Sequence, residues 1–117
     1  MRLNEITYTD AMPVEGYGPG FFRVGGEVHH GPLLLWDRGR SDWNGLEDTE
    51  TLLSLAGEVD VIFVGMGAEI SHLPGALRSA LEDKGLGVEV MNSPSACRTY
   101  NVLLSEGRRV ALAVLPV

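Results

Sequence analysis

Gly65-Met66-Gly67, directly after the apolar run Val59-Asp60-Val61-Ile62-Phe63-Val64, is the stretch best suited to meeting a ligand. Glycines let a backbone turn sharply and approach another group closely. In an open α/β sheet, the loop after a buried strand is where ligands sit. The dinucleotide fingerprint also needs a third glycine three residues after the second, and here that position is Ile70. Glu89 lies 22 residues after Gly67, at the place of a ribose-binding acid. Its neighbours Val88 and Val90, however, put it on the opposite, solvated face of a strand. A tight turn after a buried strand is the favoured reading, and no NAD, FAD or other cofactor is expected.

Cys97 is the single cysteine and falls in the first turn of a helix opened by Ser93-Pro94. A helix N-terminus and the adjacent Arg98 both stabilise a thiolate, which would suit a thiol enzyme. No histidine lies close in sequence to act as base, and a packed cysteine facing the sheet is the favoured alternative. Ser95, Arg98 and the N–H groups of the same turn could hold an anion or an acidic partner group. The plainer alternative is an arginine on a solvated helix face. His29 and His30 are adjacent, so on a strand they face opposite ways and cannot chelate one ion. With His72 alone in a loop, no metal site is expected. No GxSxG elbow is present, and the acids are too scattered to argue a catalytic pair. Trp36 and Trp43 flank a polar stretch rather than occupying periodic core positions. Tryptophan and arginine most often anchor interfaces. Trp36, Trp43, Arg98 and the glycine-rich residues 16–20 are therefore expected to form a protein-binding surface, the alternative being tryptophans that cover the sheet edge.

The elements that must position these residues follow from periodicity and punctuation. Residues 3–8 read as a first strand, and residues 10–20, dense in glycine and proline, as an irregular turn. Gly25-Gly26 between the β-type runs 21–24 and 27–36 is a hairpin signal, with Pro32 marking an edge or bulge. Residues 37–45 read as a polar loop. Residues 46–56 form a helix, capped by Asn44 or Asp48 and ended by Gly57. The buried strand 59–64 follows, then a helix over 74–84 started by Pro74 and ended by Gly85. A strand over 86–91, a helix from Ser93 to about 105 with Ser93 as N-cap, and a strand over 109–115 complete the chain. The unbroken apolar core of that last strand argues for a central place with both faces covered.

The chain has 117 residues, 44% hydrophobic and 21% charged, enough for one α/β domain over residues 1–117. A net charge of −7 gives no footprint for a phosphate backbone, so nucleic acid is not an expected partner. One cysteine fits a reducing compartment, no apolar leader follows Met1, and no run is long enough to span a membrane. A cytoplasmic protein is the expectation.

Ser93-Pro94-Ser95-Ala96-Cys97-Arg98-Thr99-Tyr100-Asn101 and Leu104-Ser105-Glu106-Gly107-Arg108-Arg109-Val110 resemble a known family of small domains. Gly16-Tyr17-Gly18-Pro19-Gly20-Phe21 and Gly85-Leu86-Gly87-Val88-Glu89-Val90-Met91 add to the likeness. The family is that of uncharacterised single-domain proteins that includes the mitochondrial complex I assembly factor 3 and the human adipogenesis-associated domain protein. The resemblance spans nearly the whole chain. It implies a three-layer β+α/β/α domain around a mixed sheet, with an N-terminal β-hairpin followed by alternating helices and strands. It also implies a bacterial relative acting through protein partners, and it supplies no catalytic residues. A non-enzymatic binding or assembly domain is the leading reading. The alternatives are a small-molecule or anion-binding protein using Gly65, Gly67 and the third helix's N-terminus, and a thiol enzyme using Cys97.

Overall fold

The computed structural model describes residues 12–117. The strand expected at residues 3–8 lies outside them. Among the described residues there are two sheets and three helices.

A small antiparallel sheet comes first, with strands β1 (Val14–Gly18), β2 (Phe21–Val24) and β3 (Glu27–His30) in that order. The hairpin signal at Gly25-Gly26 is realised as the β2–β3 turn, with both glycines at positive φ. The turn expected over residues 10–20 is instead largely β1. Gly18 serves close approach rather than turning: a Cβ there would lie 2.5 Å from the Phe21 ring. An irregular register between Val14 and Gly16 absorbs the mismatch.

The run 27–36 is not one arm but two strands. Gly31 (φ +87°) and Pro32 break it, and the chain passes into a second sheet. There β4 (Leu33–Trp36) pairs with β5 (Gly39–Asp42), the latter in what reads as a polar loop. β5 is an edge strand, where polar side chains are tolerated. The rest of the second sheet is β6 (Val61–Met66), β7 (Gly87–Met91) and β8 (Val110–Leu115), in the order β5-β4-β8-β6-β7. β6 runs parallel to both β7 and β8, and β4 runs antiparallel to β8, so the sheet is mixed.

The helices are α1 (Thr49–Leu53), α2 (Gly75–Asp83) and α3 (Ser93–Ser105). α1 is shorter than the run 46–56 suggests. Asp48 caps it, accepting from the N–H and hydroxyl of Thr51, so the helix cannot begin earlier. α1, the turn after it and α2 cover one face of the large sheet through Leu52, Leu55, Leu77 and Leu81 against Leu34, Ile62, Val64, Ala111 and Ala113. α3 and the small sheet cover the other face through Ala96, Tyr100, Phe22 and Val24 against Leu35, Phe63, Leu112 and Val114. The result is a three-layer β+α/β/α arrangement. β8 is interior, as its apolar run requires: alanines face the two short helices, and larger residues face the thicker layer.

Asn101 on α3 ties the layers together. Its side-chain oxygen accepts from the Val14 N–H and its NH2 donates to the Val14 carbonyl, both at 2.9 Å. A side-chain amide here completes the edge of β1 as a neighbouring strand would.

Candidate functional site

The carboxyl ends of β6 and β8 are where an open α/β sheet would bind a ligand. Here the protein fills that place itself. Ser93, 1% exposed, sits directly over Gly65. A Cβ on Gly65 would lie 2.8 Å from Val114 Cγ2 and 2.9 Å from Ser93 Cα, so only glycine admits α3 this close. The Gly67 N–H donates to Ser93 Oγ at 2.8 Å, and the Ser93 N–H donates to the Gly67 carbonyl at 2.7 Å. The Ser93 hydroxyl donates onward to the Leu115 carbonyl. One buried serine thus joins the ends of β6 and β8 to the start of α3.

The first turn of α3 is equally committed. Asn92, not Ser93, is the N-cap: its Oδ1 accepts from the Ser95 N–H at 2.8 Å, and its carbonyl accepts from the Ala96 N–H at 2.9 Å. Pro94 has no N–H to give. No backbone donor of the turn formed by Ser93 to Ala96 remains for an anion, and Ser93 occupies the space over Gly65. Gly65 is explained by helix–strand contact, and Gly67 by its positive φ of +98°. Glu89 is exposed, on the face opposite Val88.

Cys97 lies in the core beneath α3, only 4% exposed. Burial pushes its thiol up to about 11, against the opposing pull of the Arg98 charge. Little thiolate is present at neutral pH, which removes the basis for a nucleophile. Ser95 and Arg98 do come together, on the outer side of the helix: Arg98 Nη2 donates to Ser95 Oγ at 3.3 Å. Beside Arg98 a shallow groove of about 360 Å³ runs past Thr99, Val102 and Leu103, and Val102 is 55% exposed.

The tryptophans correct the expected surface. Trp43 is 2% exposed and donates from Nε1 to the Asp48 carbonyl, so it is a core residue in this structure. Trp36 is half-buried against the same core cluster, on the α1–α2 side. Arg98 belongs to the opposite layer. Trp36, Trp43 and Arg98 therefore do not share one contact face. The polar sequence around Trp43 concealed this, because the ring folds inward under α1.

His29 and His30 diverge as expected. His29 Nε2 lies 2.7 Å from Arg40 Nη1, while His30 tilts against the Phe21 ring. Among the described residues no group of three His, Cys, Asp or Glu side chains is placed to hold a metal, and no helix is long and apolar enough to cross a membrane. One cleft was not foreseen. Ile70, Ser71, His72, Leu73, Arg78 and Val90 enclose about 280 Å³ between the loop after β6, α2 and β7. Its only advance signal was its place in the loop following the buried strand.

The fold and its closed crevice define a small three-layer domain whose exposed features lie on helix and loop surfaces. The chain belongs to the family described as protein of unknown function (DUF498/DUF598), whose model matches residues 14–115. It is 50% identical to an uncharacterized protein of Rhodobacter capsulatus, over the whole of this chain and 94% of that one. It is 30% identical to NADH dehydrogenase (ubiquinone) 1 alpha subcomplex assembly factor 3 of Danio rerio, over 88% of this chain but 63% of that protein. Among solved structures, it resembles a protein of Bartonella henselae described as an outer membrane protein, at TM-score 0.82 and 32% identity, covering 91% of this chain and 95% of that one. It also resembles a Bordetella pertussis protein described as an Mth938-like domain, at TM-score 0.78 and 27% identity, covering 99% and 92%.

Proposed function

We propose that this chain is a non-enzymatic protein-binding domain that acts as an assembly factor, with the respiratory NADH dehydrogenase as the assembly it serves. The observation that carries this reading is the kinship with assembly factor 3, which extends across 88% of the chain. The geometry supports it in two ways. The crevice that would serve a nucleotide is filled by Ser93, and the one thiol is buried and protonated. The contact surface of this reading is the outer face of α3, where Arg98, hydrogen-bonded to Ser95, and exposed Val102 border the shallow groove. An arginine beside an apolar residue is a common interface anchor. The single buried cysteine fits work in the reducing cytoplasm.

The test is capture of partners by tagged protein from its own cells, compared with Arg98→Glu/Val102→Asp. Both residues are exposed, so the double variant should keep its melting temperature and lose the partner. Equal capture by both proteins would remove the surface from the account. Turnover of a metabolite by the purified protein would remove the non-enzymatic reading.

A further inference from the structure

The cleft beside α2 has the make-up of a small-ligand site, and it is independent of the α3 surface. It opens at the carboxyl ends of the parallel strands β6 and β7, one loop beyond the crevice that Ser93 closes. Its walls are apolar: Leu73 is nearly buried, Val90 comes from the edge strand, and Ile70, 68% exposed, forms the rim. Its polar members are Ser71, His72 and Arg78, and among the described residues no carboxylate lines it.

Arg78 is held in place. Its Nη1 donates to the Val88 carbonyl on the edge strand at 3.2 Å. The same nitrogen lies 3.4 Å from Glu82 Oε2, a long contact between half-exposed side chains that solvent screens. A guanidinium carries five N–H donors in a fixed plane, and Nη1 accounts for only two of them. The Val88 carbonyl therefore fixes the group's position while leaving Nε and Nη2 without a side-chain or backbone partner among the described residues. Such a pre-positioned fork suits a carboxylate, which accepts two parallel N–H bonds. The volume, about 280 Å³, lies just below the usual range for ligand pockets and suits a small acid better than a nucleotide or a flavin.

We propose that this cleft binds a short aliphatic carboxylate, its acid group on Arg78 with Ser71 and His72 as further hydrogen-bond groups, and its hydrocarbon body against Ile70, Leu73 and Val90. An apolar body gains from burial, and the charged end gains from a partner in a partly shielded place. The acid could be a free metabolite or the C-terminus of a peptide ending in an aliphatic residue. Both present the same chemistry.

Isovalerate, its neutral amide isovaleramide, and a peptide ending in leucine are the probes, titrated into the labelled full chain while backbone amide shifts are followed. Isovalerate, the peptide or both should move the amides of residues 70–73, 78 and 90, saturate, and leave α3 unmoved. Isovalerate acting alone identifies a free acid, and the peptide acting alone identifies a chain terminus. The amide should bind at least tenfold more weakly. Arg78→Gln should lose binding at least tenfold. Because Arg78 also braces Val88, His72→Asp provides a second variant, at an exposed residue, that places repulsion in the cleft without touching that brace. Equal shifts from acid and amide, unchanged binding in His72→Asp, or no saturable shifts from either acid would overturn the proposal. None of these outcomes bears on partner capture through α3.

Discussion

Replacing Gly65 by alanine should cost the fold about 2–4 kcal/mol, although it adds a single methyl group to a strand. The new Cβ would lie 2.8 Å from Val114 Cγ2 and 2.9 Å from both Ser93 Cα and Ser93 Oγ. Real Cβ atoms do not approach other heavy atoms so closely, so something must shift. Val114 is fully buried beneath the thicker layer and has little room to turn. Ser93 meets the methyl with backbone as well as side chain, so α3 itself must retreat at its first residue. Overpacking of this kind costs roughly 1–3 kcal/mol. Retreat also lengthens three hydrogen bonds, the two with Gly67 and the one to Leu115, each worth about 1 kcal/mol net when well made. For a chain of this size, the total corresponds to a fall in Tm on the order of 10 °C. Urea denaturation and a thermal scan on the same preparation measure it. An unchanged midpoint would refute the claim that α3 rests on this strand, and with it the reason given for glycine at position 65.

Further consequences are open to direct measurement. Leu112→Asp should prevent folding, because it buries an unpaired charge at an interior position of the sheet costing several kcal/mol; a soluble variant with native Tm would contradict this. Cys97 should label slowly with a thiol reagent at neutral pH and quickly only in denaturant; rapid native labelling would show that the thiol is accessible. Its thiol is raised in the folded state from 9.0 to about 11. Its contribution is therefore intact below pH 9 and lost as pH climbs through the folded value, roughly 2–3 kcal/mol in all, and the raised Tyr100 hydroxyl acts in the same direction at higher pH. NAD or FAD at millimolar concentration should not raise Tm; stabilisation by several degrees that is lost in Gly67→Val would mean the turn opens to a dinucleotide.

The parts of this molecule that were legible in the sequence are those where burial and periodicity agree. β6 and β8 are continuously apolar because both of their faces are covered, and α2 and α3 carry stripes with plain punctuation. The misreadings have physical causes. Gly16 and Gly18 carry the composition of a turn, yet both lie in a strand, and at Gly18 the Phe21 ring occupies the space a side chain would take. β5 is polar because it is an edge strand, which composition alone cannot tell from a loop. Ser93 and Asn92 are both good caps. The choice between them is made by Gly67, 26 positions away from Ser93, which claims the serine hydroxyl. Trp43 lies among polar residues and still points inward. Arg78 and Ile70 meet only because α2 folds back over the end of β6, and no spacing rule announces that meeting.

The most direct test of the assembly reading is the amount of fully assembled NADH dehydrogenase in a bacterium that carries both this gene and that enzyme. It is measured by native electrophoresis of membranes from deletion, complemented and Arg98→Glu/Val102→Asp strains. The account predicts less assembled enzyme in the deletion strain, restored by the wild-type gene and not by the double variant. Equal amounts of assembled enzyme with and without the gene would contradict it.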